Sequence, residues 1–343
     1  MNVTEKKTDV LTWAASTDKQ IQLSNSGFIT RLDLELYITL SATAASDLAT
    51  HGIWRAIQGL RIQGGSGKVY FNMSGVQMGV LLHALNLHDF PGKTWREIQA
   101  QTQSAAFRIH FGTRPRDVYG RDNPFDLTAA IPAMDETTIN IIWSTTPNSA
   151  LDDTITISSG TMYVTEHRVL PANRAVEQAI KSGLKIPISS SEAYDPSATK
   201  SNLSGIRYIP TGNWVKRIAI AAQDDTAVGS FGPLFVGDQV TEVGLKSQPD
   251  NLQIINALRT KQLELNNSLV DGMAVVNTPN IMSPWSSPGL YILDLREYGQ
   301  SREYGFNTRG YGANDLQLQL TIGAYASGET EQIWYEQYED YRG

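Results

Sequence analysis

The sequence predicts an all-β protein made of two tandem eight-stranded sandwiches with a few short helices. Three observations carry that expectation. Long segments alternate apolar and polar residues with period two. Helix signals are few. The second half repeats the order of features of the first at a constant offset.

The strands can be justified in chain order. RLDLELYITL, residues 31–40, puts Leu32, Leu34, Leu36, Ile38 and Leu40 on one face and Asp33, Glu35 and Thr39 on the other. That is the pattern of a half-buried strand. AIQGLRI and KVYFNM follow, separated by GGSGK. That turn invites a phosphate-loop reading, which needs G-x-x-x-x-G-K-[ST] and a following helix. Here Val69 follows Lys68 and Ile62 stands where the first glycine belongs. KVYFNM is β-branched and aromatic, so GGSGK is predicted to be a hairpin turn, with Gly64, Gly65 and Gly67 supplying positive φ. TTINIIW and TMYVTEH close the first half. WVKRIAIAA, TEVGLKS, LQLQLTI and QIWYEQY supply strands in the second.

Four helices are expected. Ser74-Gly-Val-Gln77 and Thr94-Trp-Arg-Glu97 are capping boxes. Asp250 is expected to cap NLQIINALRTKQLEL, and NRAVEQAIK is expected to end at Gly183. REYGQSREYGFNTRGYG reads as a long structured loop, and TEQIWYEQYEDYRG as a last strand or an arm.

The two halves correspond. Gly27 and Gly212 each precede a long strand, and 212 − 27 = 185. Gly59 and Gly244 each sit in a Gly-Leu strand, and 244 − 59 = 185 again. In each half a turn and a capped helix are expected next, at Ser74 and Asp250. The Ser-, Pro- and Ala-rich stretch between the halves reads as a linker. The expected boundaries are 1–170, a linker at 171–204, and 205–343. An eight-stranded jelly roll is the sandwich of that size.

Composition narrows the function. Lys and Arg total 28 against 35 Asp and Glu, a net charge of −7. That opposes direct nucleic-acid binding, which needs a basic surface. The four arginines between Arg108 and Arg121 are expected in an ordered loop. With no cysteine, disulfides, thiolate metal sites and cysteine catalysis are excluded. No secretory signal and no membrane-spanning run is visible.

Candidate chemistry is sparse. His83, His88 and Asp89 lack metal-site spacing and an HExxH pattern. No G-x-S-x-G elbow is present. Asp33 and Glu35 lie about 7 Å apart by strand rise, a spacing glycosidases use. Trp54, Trp95, Trp214 and Trp285 are the residues that would stack on sugars. Asp135-Glu136, Asp152-Asp153 and Asp224-Asp225 could offer oxygen ligands to calcium, yet no D-x-D-x-D-G loop is present. The reading therefore assigns no catalytic, cofactor-binding or metal residue. A structural calcium is conceivable without being locatable.

With these features assembled, the chain resembles the double jelly-roll major capsid proteins of tailless icosahedral viruses of bacteria and archaea, many with an internal membrane. The likeness is strongest in RLDLELYITL…IWRAIQGLRIQGGSGKVYFNMSGVQMGVLLHAL, and the small FLiP-like phages are the nearest kind. The resemblance implies a virion protein made in the host cytoplasm. It implies a homotrimeric, pseudo-hexagonal capsomer with neighbouring capsomers, penton and minor capsid or membrane proteins as partners. Contact with an internal lipid membrane would be indirect, and no enzyme activity carries over. The alternatives are a carbohydrate-binding or glycoside-hydrolysing sandwich, and a trimeric viral spike.

Overall fold

The computed structural model describes residues 3–42, 52–75, 77–78, 102–114, 123, 126–147, 155–224, 234–235, 239–260, 263, 290–323, 325 and 329–342. The chain divides into two units, residues 1–189 with 338–343, and residues 190–337.

The first unit holds β1 (Val3–Thr12), β2 (Asp18–Gln22), β3 (Phe28–Ala42), β4 (Ile57–Gly64), β5 (Val69–Met73), β6 (Thr102–His110), β7 (Ile131–Pro132), β8 (Ile139–Thr145) and β9 (Ile155–Leu170). One sheet has the order β1-β9-β3-β6, with the two-residue β7 also on β3; the other has the order β2-β8-β4-β5. Setting β7 aside, the strands run first–eighth–third–sixth and second–seventh–fourth–fifth. That is the winding of a jelly roll. Alternation builds the core. Leu32, Leu34, Leu36 and Ile38 on β3 are fully buried, as are Leu60 and Ile62 on β4 and Ile139, Ile141 and Trp143 on β8. Each such side chain stabilises the fold by about 1.5–3 kcal/mol relative to exposure.

The second unit repeats the winding. Its strands are β10 (Lys185–Tyr194), β11 (Lys200–Tyr208), β12 (Trp214–Asp224), β13 (Leu234–Phe235), β14 (Val240–Ser247), β15 (Leu252–Arg259), β16 (Leu290–Asp294), β17 (Phe306–Asn307), β18 (Leu316–Ile322) and β19 (Glu329–Asp340). The orders are β10-β19-β12-β13, with β16 and β17 also on β12, and β11-β18-β14-β15. Pairs match one for one: β12 corresponds to β3, β19 to β9, and β14 and β15 to β4 and β5. One core joins both sheets through Ile218 and Ile220, Val243 and Leu245, Leu318 and Leu320, and Ile333 and Tyr335.

Three sequence expectations change. The stretch 171–204 is not a linker. It contains helix α1 (Arg174–Gly183), all of β10 and the start of β11. Asn173 caps α1, its side chain accepting the Val176 N–H at 3.0 Å. Ser and Pro read as loop formers, but β10 is an edge strand, where Pro187 is tolerated, and Gln337 donates to the Ser190 hydroxyl at 2.7 Å. The unit boundary accordingly falls at 189/190, and the last residues rejoin the first unit.

Second, Asp250 does not cap a helix. It accepts the Ser247 hydroxyl at 2.8 Å in the turn between β14 and β15, where Asn251 takes a φ of 48°. The apolar residues of LQIINALR fit either period, and pairing with β14 decides for strand. Helical conformation begins at Thr260 instead. In the first unit it begins at Gly75, after Ser74 and Gln77 close their capping box at 3.0 and 3.2 Å. The offset, 260 − 75 = 185, preserves the repeat. The Thr94 box lies outside the described residues.

Third, GGSGK is the predicted hairpin turn, but only Gly67 has a positive φ, 86°. Gly64 and Gly65 are required for close approach. A Cβ would stand 2.4 Å from the Glu136 carboxyl carbon at Gly64 and 2.4 Å from the Thr137 hydroxyl at Gly65.

The repeated glycines give a test. Gly27 (φ 70°) and Gly212 (φ 93°) are both left-handed. A Cβ at Gly27 would stand 2.6 Å from the Val169 carbonyl oxygen, whereas at Gly212 it meets nothing within 4 Å. Gly212→Ala is expected to cost about 1–2 kcal/mol for the backbone alone. Gly27→Ala is expected to cost about 2–5 kcal/mol, because overpacking adds to the same backbone term. Urea midpoints of the two variants should fall in that order.

Candidate functional site

The outer face of the β1-β9-β3-β6 sheet carries the two carboxylates that the sequence singled out. Strand register lays this face out in rows. Arg31 lies between His167 and His110. The next row is Thr8, Thr165, Asp33 and Arg108. Then come Val10, Tyr163, Glu35 and Ala106, followed by Thr12, Thr161, Tyr37 and Ser104.

Asp33 is the hub of an ion-pair cluster. Its carboxylate lies 3.0 Å from Arg31 Nη2, 2.7 Å from Arg108 Nε and 2.7 Å from His167 Nε2. Arg31 and His167 are buried. Burial pushes the Asp33 carboxyl up, but the hydrogen bonds from His167 and Arg108 and the charge of Arg31 outweigh it. The net shift is well below the ordinary carboxylate range. A general acid in a glycosidase needs the opposite shift. Asp33 is built as a counter-ion.

Glu35 sits in different surroundings. It is exposed and accepts the Tyr37 hydroxyl at 3.2 Å. That bond, with the carboxylate's charge, pushes the Tyr37 phenol up. The Tyr37 and Tyr163 rings meet edge to face, 5.8 Å between centroids at 87°. With Thr8, Thr161 and Thr165 they line an open depression of about 450 Å³. The Thr8 and Thr165 hydroxyls bond each other at 2.9 Å.

This geometry stands within a fold that known proteins share. No protein-family model matches the chain, and no significant match exists among curated proteins. Solved structures do match. The STIV major capsid protein superposes with a TM-score of 0.77 at 15% identity, covering 99% of this chain and 97% of that one. The PBCV-1 virus capsid gives 0.65 at 10% identity, with 98% and 94% covered. The major capsid protein of bacteriophage PM2 gives 0.54 at 13% identity, with 98% of both chains covered. The chain has the double jelly-roll fold.

The remaining candidates fall into place within the double jelly roll. Trp54 is buried, its ring 5.0 Å from Phe107, and is closed to sugar stacking. Trp214 lies under the Arg309 guanidinium, 5.6 Å away, with Tyr304 beside it at 6.2 Å. The adjacent acids Asp135 and Glu136 part company. Asp135 pairs with Lys181 of α1 at 2.8 Å. Glu136 accepts the Ser66 N–H at 3.0 Å, the Ser66 hydroxyl at 2.6 Å and the Tyr70 hydroxyl at 2.5 Å. The glycine-rich turn thus does hold an anion, a carboxylate of its own chain. Burial raises the Glu136 carboxyl, and the Ser66 and Tyr70 bonds and Lys68 bring it below its ordinary value. Arg108 lies on β6 and Arg114 follows it, its N–H donating to Asp126 at 2.5 Å.

Among the described residues, no group of three or more His, Asp or Glu could hold a metal ion. Trp95, Trp285, His83, His88, Asp89, Arg116, Arg121, Asp152, Asp153, Asp225 and the side chain of Asp224 lie outside the described residues. Sequence reasoning passed over the Tyr37–Tyr163 pair. The signal was available: both tyrosines fall on the polar phase of an alternating strand.

The Asp33 cluster makes a pH prediction. Because folding lowers its pKa, Asp33 contributes stability that is complete above its unfolded value of about 3.9 and fades as pH falls below it. Asp33→Asn removes the carboxylate that buried Arg31 and His167 both contact and should cost about 2–3 kcal/mol at neutral pH. Urea unfolding from about pH 6 to about pH 2 should show a shallower loss of stability in the variant than in the wild type.

Proposed function

We propose that the chain is a major capsid protein, a structural subunit of a virion shell that self-associates as a trimer. The observation that carries this reading is similarity over nearly the whole length of both chains to the STIV capsid protein. Both units of the duplicated fold take part, as the identical winding of the two sandwiches requires. A protein with one functional sandwich and one appended domain would match over half its length.

The physical chemistry agrees. Three copies of a two-sandwich chain present six similar bodies around one axis, so a threefold assembly takes on a hexagonal outline that can tile an icosahedral shell. A net charge of −7 suits a shell protein that does not coat nucleic acid. Asp33 is not set up as a general acid, since two arginines and a histidine hold it ionised. Its partners in this reading are other copies of itself, neighbouring capsomers, and penton and minor capsid or membrane proteins. Any internal lipid membrane would be met indirectly. The reading assigns no cofactor.

One subunit is 37.8 kDa, so a trimer is 3 × 37.8 = 113.4 kDa. Light scattering after size exclusion should return the trimer mass, and negative-stain images of that peak should show hexagonal outlines. A monomer at every concentration tested would overturn the proposal.

A further inference from the structure

We propose that the aromatic outer face of the β1-β9-β3-β6 sheet of one copy docks on the outer face of the β11-β18-β14-β15 sheet of a second copy, with Glu35 opposite Lys246. This rests on the self-assembling reading above and names the surfaces that would meet.

Exposed apolar side chains are concentrated where this contact needs them. Among the described residues of the first unit, the large hydrophobic side chains that remain exposed are Val10 (48%), Tyr37 (38%) and Tyr163 (40%). All three fall in two adjacent rows of one sheet face. In the second unit, Leu252 and Tyr298 are exposed singly, whereas Ile206 (41%) and Tyr208 (46%) are exposed together on the edge strand β11. They sit two residues apart, on the same outer face. A cluster of exposed apolar residues on a sheet face marks a contact surface, whereas scattered ones would not.

Charge supplies the complementarity. Glu35 lies beside Tyr163 and Tyr37 and has the Tyr37 hydroxyl as its partner, with no cation paired to it among the described residues. Lys246 lies in the row Tyr208, Gln317, Lys246, Gln253 and has no ion-pair partner among the described residues. Each patch therefore carries one uncompensated charge, of opposite sign. The spacing matches as well. Val10 and Glu35 are two strands apart in their row, and so are Tyr208 and Lys246. Both separations are about 9–10 Å from the spacing of paired strands. Tyr208 can cover Val10 while Lys246 meets Glu35.

The two patches are different surfaces of the same chain, so the contact is heterologous. A heterologous contact closes into a ring when its rotation divides a full turn, and three copies make the smallest such ring beyond a pair.

Charge reversal in the full chain tests this. Glu35→Lys and Lys246→Glu each set like charges against each other. Each should raise the dissociation constant of the trimer about 30-fold or more, with far-UV circular dichroism unchanged. The double variant Glu35→Lys/Lys246→Glu restores the pair with reversed polarity and should recover the trimer. Single variants that weaken the trimer without recovery in the double variant would overturn the pairing. A wild-type trimer that both single variants leave intact would overturn the docking while leaving the capsid reading standing; the tyrosine face would then be open to another ligand, such as a saccharide. A wild type that never leaves the monomer would overturn the capsid reading and this contact with it.

Discussion

The fold depends on one constraint, the two-faced strand. A strand between two sheets must turn every second residue into the core, and β3 does so with Leu32, Leu34, Leu36 and Ile38 fully buried. A slip of one residue would send the whole set to the other face. Its neighbour β9 is locked to it along nearly its full length, and β6 from Arg31 to Thr39. The same constraint gives outward residues their meaning. What faces away from the core is released from packing, so its chemistry is informative. On β3 that chemistry passes from an ion-pair cluster at Arg31 and Asp33 to an aromatic and hydroxyl surface at Glu35 and Tyr37.

Duplication shows which features the winding itself demands. Gly27 and Gly212 both turn the chain through a left-handed conformation ahead of the central strand. Helical conformation begins after the hairpin at Gly75 in one unit and Thr260 in the other. The first hairpin turn has three glycines and closes over Glu136, while the second has none and closes through Ser247 and Asp250. The turn chemistry diverges because either device reverses the chain. The strand order does not diverge between the two units.

The carboxylates of the first unit are held by different partners. Asp33 is surrounded by positive charge and hydrogen-bond donors, which keep it ionised. Glu136 is likewise consumed in holding a turn. Glu35 alone of these carboxylates faces outward with a tyrosine hydroxyl as its partner. An exposed, uncompensated charge within an apolar patch suits recognition, since it selects a complementary surface and rejects others.

By itself the sequence determined the all-β class, the duplication, the hairpin at GGSGK, the short helix in NRAVEQAIK and the core face of β3. Each of these is set by local periodicity or by neighbours a few residues apart. Tertiary structure decided what depended on distant partners. LQIINALR is a strand because β14 lies beside it, and KIPISSSEAY is a strand because an edge position tolerates its proline and serines. Gly64 and Gly65 are glycines because Glu136 and Thr137 press against them, more than 70 residues away in the chain. Asp33 is a counter-ion because β6 and β9 deliver Arg108 and His167 to it. Tyr163 and Tyr37 form one surface because β9 returns beside β3. Alternation tells which way a side chain points, but only pairing brings its neighbour.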